Sequence, residues 1–74
     1  MDKELFFEKV HKDKDTVFRV AYSYCKDKSD AEDISQEVFL KYYTAFPDIS
    51  DESEEKAWLI RVTINKSKDL LKSS

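Results

Sequence analysis

The sequence predicts an all-α fold, a compact bundle of four helices. Its 74 residues contain no glycine and one proline, and they are rich in Lys and Glu, which favour helices. Tight β-hairpin turns depend largely on glycine, so strands are disfavoured. A chain of this length can bury one modest core, and we therefore expect a single domain over residues 1–74.

Apolar residues at helical spacing predict the first two helices. Asp2 can cap a short first helix, and the polar run 11–15 predicts a break before a second helix that ends near residues 26–29. The apolar positions of the first helix are Leu5, Phe6, Phe7 and Val10, and those of the second are Val17, Val20, Ala21 and Tyr24, widened by Phe18, Tyr22 and Cys25.

Capping residues and a proline bound the last two helices. Ser29 and Glu32 form a capping box for a third helix from about Asp30 to Phe46, because Pro47 cannot continue a helix. A loop over residues 47–51 follows. Residues 50–53 then offer N-caps for a fourth helix over about 54–71.

Composition excludes several classes of function. The single Cys25 cannot form an internal disulfide and has no His or Cys at metal-ligand spacing, and His11 has no partner for catalysis. No catalytic set or phosphate-binding glycine loop is found, so we expect neither an enzyme nor a cofactor. The absence of a long apolar run predicts a cytoplasmic protein without membrane insertion.

Charge is segregated along the chain, although the net charge is only −3. The run 48–55 contains five acidic residues and no basic residue, whereas the run 61–72 contains four basic residues against Asp69. The acidic run lacks the spacing of a calcium loop, so we interpret it as a solvated segment. The basic run is a candidate for nucleic-acid contact.

Helical projection of the third helix separates two sides. Its core stripe comprises Ala31, Ile34, Val38, Tyr42 and Ala45. The other side carries apolar anchors among hydrogen-bonding groups, as protein interfaces do: Asp33, Gln36, Glu37, Phe39, Leu40 and Tyr43. Packing of Phe39 and Tyr43 under a neighbouring helix is an equal alternative.

The fourth helix projects in the same way. Its core arc comprises Leu59, Ile60, Thr63, Ile64, Ser67, Leu70 and Leu71, and the opposite side carries Arg61, Asn65, Lys68 and Lys72, bordered by Trp58 and Val62. Such a stripe could meet phosphates, while Asn65 could read a base edge and Trp58 could stack on a base. A solvated amphipathic helix with Trp58 in the core is the alternative.

Two motifs resemble a known family. The segment Asp30-Ala-Glu-Asp-Ile-Ser-Gln-Glu-Val-Phe39 resembles the polymerase-binding helix of region 2 in sigma-70 factors, especially the extracytoplasmic-function (ECF) type. The segment Ala57-Trp-Leu-Ile-Arg-Val-Thr-Ile-Asn-Lys66 resembles the family's helix that contacts the promoter −10 element.

The resemblance implies roles for both helices. Docking on the clamp helices of the largest subunit of RNA polymerase would use Asp33, Gln36, Glu37, Phe39, Leu40 and Tyr43. Contact with promoter DNA would use Trp58, Arg61, Val62, Asn65, Lys66 and Lys68. An anti-sigma factor is a further implied partner. The family's C-terminal domain, which reads the −35 element, is not expected within these residues.

Two departures from the family pattern bear on function. Leu59 follows Trp58 where strongly melting relatives have a second tryptophan, so we expect weaker DNA melting. Glu55-Lys56 stands where Phe-Arg is common, and acidic residues there would repel DNA. A helical protein-interaction module without sequence-specific DNA binding, such as a sigma-like adaptor or anti-sigma target, is therefore the alternative function.

Overall fold

The computed structural model describes residues 3–45, 49 and 51–72. These residues form three α-helices, α1 (Lys3–Cys25), α2 (Lys28–Ala45) and α3 (Glu52–Lys72), and no strand occurs among them. Each helix packs against the other two. The all-α prediction is confirmed, but the described part of the chain contains three helices in place of the predicted four.

The difference arises because α1 runs through the predicted break at residues 11–15. That run is polar but contains neither proline nor glycine, so nothing in it interrupts the backbone hydrogen bonds of a helix. His11, Lys12, Lys14 and Asp15 are exposed, whereas Asp13 is buried. Four of the five residues of the polar run therefore face solvent within a continuous helix.

A tight turn joins α1 to α2. Lys26 has a left-handed backbone (φ 58°), and its N–H donates to the carbonyl oxygen of Tyr22 at 2.9 Å, which closes the end of α1. Asp27 then caps α2, because its Oδ1 accepts a 3.1 Å hydrogen bond from the backbone N–H of Asp30. The predicted capping residue Ser29 lies one residue inside α2, so that assignment was wrong by two positions.

Asp51 caps α3, as the sequence predicted among its candidates. Its Oδ1 accepts a 2.8 Å hydrogen bond from the N–H of Ser53, and its carbonyl oxygen accepts one of 3.0 Å from the N–H of Glu55. Pro47 and Phe46, which were expected to end the preceding helix, lie outside the described residues.

The core lies where the three helices meet. Its buried apolar side chains are Val17, Ala21, Ala31, Ile34, Val38, Phe39, Tyr42, Leu59 and Val62. Thr63 and Ser67 are also fully buried, and their hydroxyls donate to the carbonyl oxygens of Leu59 and Thr63 within α3. Because these bonds satisfy the hydroxyls, two polar residues fit between packed helices at little cost.

Several predicted faces need correction. Phe39 and Val62 belong to the core, at 8% and 7% exposure, although the projections placed them outside it. Ala45, Leu70 and Leu71 are exposed, although they were assigned to core faces. Glu55 and Val62 of α3 face inward together with Leu59, with which they share one helical stripe.

None of the three described helices has both the length and the apolar character that a membrane span requires.

Candidate functional site

The outer face of α2 carries most of the predicted docking residues. Asp33, Gln36 and Glu37 are exposed, Leu40 is 62% exposed and Tyr43 is 39% exposed. Phe39 lies beneath them in the core, so the alternative interpretation, packing under a neighbouring helix, holds for this residue. Tyr43 also packs partly inward, with its ring edge-on to Phe6 at 4.9 Å between centroids.

An apolar groove of about 420 Å³ runs between α1 and this face of α2. The sequence did not predict it, because Phe7 was counted only among the apolar positions of the first helix and is in fact 60% exposed. The groove is lined by Phe6, Phe7, Val10, Lys14, Ser35, Gln36, Phe39 and Leu40. It extends the exposed apolar surface of α2 onto α1.

The outer face of α3 carries three of the predicted DNA-binding residues. Arg61, Asn65 and Lys68 are exposed, at spacings of four and three residues that place them on one side of the helix. Val62 is buried, so it cannot contact a base in this conformation. Trp58 is half-buried and lines a shallow pocket with Ile49, Glu54, Ala57 and Arg61.

Lys66 points away from that face. Its ammonium lies 3.9 Å from Oε2 of Glu37, so a predicted phosphate contact is paired with a predicted docking residue of α2. The two side chains border a cavity of about 290 Å³ between α2 and α3, whose other lining residues are Asp30, Asp33, Ile34, Asp69 and Leu70. Carboxylates thus surround Lys66 on several sides.

A buried polar cluster joins all three helices at the start of α3, and the sequence analysis missed it. Glu55 is only 5% exposed, although the acidic run that contains it was interpreted as solvated. Its Oε2 forms an ion pair with the ammonium of Lys9 and accepts a 2.7 Å hydrogen bond from the hydroxyl of Tyr42. We refer to Lys9, Tyr42 and Glu55 as the Glu55 cluster.

The electrostatics of the Glu55 cluster follow from these contacts. The hydrogen bond to Glu55 raises the pKa of Lys9, because the ammonium is the better donor to a carboxylate. Burial raises the pKa of Tyr42, and its hydrogen bond to Glu55 acts in the same direction, since a phenolate could not donate that bond. Lys9 is therefore charged and Tyr42 neutral across the physiological range.

Asp13 borders the Glu55 cluster. Burial raises the pKa of the Asp13 carboxyl, and repulsion by Glu55 adds to the effect, while Lys12, Lys56 and Lys9 oppose it. Lys12 in turn forms an ion pair with Glu52 in the first turn of α3. The start of α3 is thus held against α1 by charged groups.

Aromatic packing connects the Glu55 cluster to Trp58. The ring of Tyr42 lies edge-on to the indole, with centroids 5.6 Å apart and planes at 70°. On its other side Tyr42 stacks with Phe6 at 6.4 Å. Tyr42 of α2 therefore bonds to Glu55 through its hydroxyl and contacts Trp58 of α3 through its ring.

The sequence did contain a signal for the burial of Glu55. Leu59 and Val62 follow it by four and seven residues, which is the spacing of one helical stripe. The projection could not use that signal, because it had placed Val62, a neighbour of Glu55 on the helical wheel, outside the core. Lys9, the partner of Glu55, lies 46 residues away, and no local pattern reveals that contact.

The two other residues singled out in the sequence have no role in these surfaces. Cys25 is half-buried against the core, where burial raises the pKa of its thiol, and its Sγ donates to the carbonyl oxygen of Ala21. His11 is exposed on α1. In the part of the chain that the structure describes, no group of His, Cys, Asp and Glu is arranged to hold a metal ion.

Comparison with models of protein families finds a match to sigma-70 region 2 over residues 10–74. The match contains both sequence motifs, and therefore the outer faces of α2 and α3 and most of the Glu55 cluster; only Lys9 precedes it. No curated protein and no solved structure matches the chain.

Proposed function

The chain belongs to the sigma-70 region 2 family, and on that premise we propose that it is a bacterial transcription initiation factor domain of the ECF type. It docks on the clamp helices of the RNA polymerase core and recognises the promoter −10 element, which it helps to open. Its role is binding in the cytoplasm, without a catalytic step or cofactor of its own. An anti-sigma factor would act by covering one of the two binding faces.

Docking uses the outer face of α2. Gln36 and Leu40 are exposed beside the apolar groove, and the acidic side chains of Asp33 and Glu37 flank them. An apolar anchor ringed by polar groups is the usual composition of an interface core and rim. Phe39 contributes by packing beneath this face rather than by direct contact.

Promoter recognition uses the outer face of α3. Arg61 and Lys68 are placed to contact phosphates, and Asn65 between them can form two hydrogen bonds with an adenine edge. Trp58 at the border of this face can stack on an unpaired base. Val62 supports the face from within the core, and Lys66 contributes little while it is paired with Glu37.

One observation supports the proposal most directly: the exposed residues of the two motifs lie on different helices and form separate faces. Two partners can therefore bind at once. Linking two weak contacts through the polymerase raises the effective concentration of the second. Sequence-specific binding is thus expected in the polymerase complex and not in the isolated domain.

The test compares two double variants in complexes reconstituted with core polymerase. Gln36→Ala with Leu40→Ala is expected to lose binding to the polymerase and to its isolated clamp-helix fragment. Arg61→Ala with Asn65→Ala is expected to keep that binding but to lose transcription from the cognate promoter. Failure of the wild-type protein to bind the clamp-helix fragment would refute the proposal.

The alternative is a helical interaction module that binds protein but not DNA. It is favoured by the exposed carboxylates of Glu52 and Glu54 in the first turn of α3 and by the net charge of −3. In that case the Arg61 and Asn65 variant would bind polymerase and support transcription as well as the wild-type protein does.

A further inference from the structure

Glu55 is buried at the start of the helix that carries Trp58, and its hydrogen-bond partner Tyr42 packs against that indole. We infer that Glu55 is a positioning residue for Trp58, acting through Tyr42, so that the DNA-facing tryptophan is held in place by a carboxylate that never touches DNA. The inference has a positional half, that Glu55 fixes the indole of Trp58, and a functional half, that this supports DNA binding. The functional half depends on the proposed role of Trp58 in promoter binding, whereas the positional half does not.

The geometry gives Glu55 this role in three steps. Lys9 of α1 and Tyr42 of α2 both bond to the same oxygen, Oε2, which fixes the first turn of α3 against the other two helices. The hydrogen bond to Glu55 fixes the hydroxyl end of the Tyr42 ring. The edge-on contact at 5.6 Å then fixes the indole of Trp58, which lies one turn after Glu55 on α3.

The alternative, that Glu55 merely adds stability, predicts something different. A stabilising residue changes how many molecules are folded but not the surroundings of Trp58 in those that are. Removing the carboxylate would leave the ammonium of Lys9 and the hydroxyl of Tyr42 without their shared acceptor. The Tyr42 ring would then lose the bond that holds its hydroxyl end, and Trp58 would lose its fixed neighbour.

Trp58 is the single tryptophan of the chain, so its fluorescence reports this position directly. Glu55→Ala in the folded protein is expected to shift the emission to longer wavelength and to increase quenching by acrylamide. Glu52→Ala is the matched control, because it removes the same side chain and charge from the same helical turn, where Glu52 is exposed and, among the described residues, forms an ion pair only with Lys12. It should leave both quantities unchanged.

Two further variants separate positioning from stability. Tyr42→Phe keeps the ring but deletes the donor, and it is expected to change Trp58 emission in the same direction; it also carries the test if Glu55→Ala does not fold. Glu55→Gln keeps an acceptor within reach of Tyr42 and should restore most of the wild-type signal. Unchanged emission and quenching in folded Glu55→Ala and Tyr42→Phe would overturn the inference.

The functional half is tested in the polymerase complex with a single-stranded −10 fragment. Glu55→Ala is expected to bind this DNA about tenfold more weakly, which corresponds to about 1.4 kcal/mol, while Glu52→Ala does not bind it more weakly than wild type. Undiminished DNA binding by Glu55→Ala would overturn this half. Failure of the wild-type complex to bind the fragment would instead refute the proposed function, since the Trp58 fluorescence is measured without DNA.

Discussion

The ammonium of Lys66 lies 3.9 Å from Oε2 of Glu37, and this contact joins the middle of α2 to α3. Lys66 is half-buried there, whereas Lys68, two residues later, is exposed on the outer face of α3. The motif resemblance assigned both lysines to DNA phosphates. The structure gives only one of them a position from which to reach DNA without first breaking an ion pair.

The two lysines should therefore differ in the salt dependence of DNA binding. Each phosphate contact releases counterions, so Lys68→Ala is expected to reduce the slope of log K against log salt concentration by about 1. Lys66→Ala should change the slope little. The measurement is a salt titration of the polymerase complex with −10 DNA, and equal losses in both variants would contradict it.

Phe39 and Leu40 are adjacent in the docking motif but should respond differently to substitution. Phe39 is buried, so Phe39→Ala is expected to lower the free energy of unfolding by about 3–5 kcal/mol. Leu40 is largely exposed, and Leu40→Ala should change it by no more than about 0.5 kcal/mol. Urea unfolding measures both quantities.

The same pair separates folding from docking. Leu40→Ala is expected to weaken binding to the clamp-helix fragment while the domain remains as stable as wild type. A loss of stability in Leu40→Ala similar to that in Phe39→Ala would show that the exposed face of α2 has been misassigned. Phe39 is unsuitable as a probe of docking, because its loss cannot be distinguished from unfolding.

The different burial of Phe39 and Leu40 shows how far the sequence could predict this fold. Periodicity identified the buried stripe of Ala31, Ile34, Val38 and Tyr42 correctly, because apolar residues at helical spacing are a pattern of the local sequence. α2 packs against both α1 and α3, however, and a helix with two partners buries a second side. Phe39 lies on the side that faces α1, where it lines the groove with Phe6 and Val10, and only the packing of α1 decides its burial.

The burial of polar residues was harder to predict from the sequence than that of apolar residues. The run 11–15 was predicted as a break and the run 48–55 as solvated, because charged side chains usually lie at the surface. Among the residues that the structure describes, each run contains one buried exception, Asp13 in the first and Glu55 in the second, and repulsion between these two carboxylates acts across α1 and α3. The burial of Glu55 depends on its partners Lys9 and Tyr42, so it is a property of the assembled bundle and not of the acidic segment alone.

Asp27 and Ser29 provide a test of the start of α2. Asp27 supplies the observed cap, so Asp27→Ala is expected to lower the free energy of unfolding by about 0.5–2 kcal/mol. Ser29, the residue that the capping-box pattern indicated, is exposed within the helix, and Ser29→Ala should have almost no effect. Thermal or urea unfolding of the two variants distinguishes these expectations, and the opposite ranking would restore Ser29 as the cap.

Asp13 makes stability depend on pH in a direction opposite to that of most carboxylates. Burial and the repulsion of Glu55 raise its pKa above the ordinary value of 3.8, so the folded state holds the proton more tightly than the unfolded chain does. Ionisation of Asp13 therefore destabilises the fold progressively as the pH rises from that ordinary value through the raised one. Above both values the loss is constant.

Asp13→Asn removes this penalty, because an amide cannot ionise. Its free energy of unfolding relative to wild type is expected to be higher at about pH 7 than at about pH 3, where Asp13 is protonated in both states. Asp15→Asn, on the exposed side of α1, controls for the change in net charge. Urea unfolding at the two pH values measures the difference, and a value for Asp13→Asn that does not vary with pH would mean that Glu55 and burial leave this carboxyl unaffected.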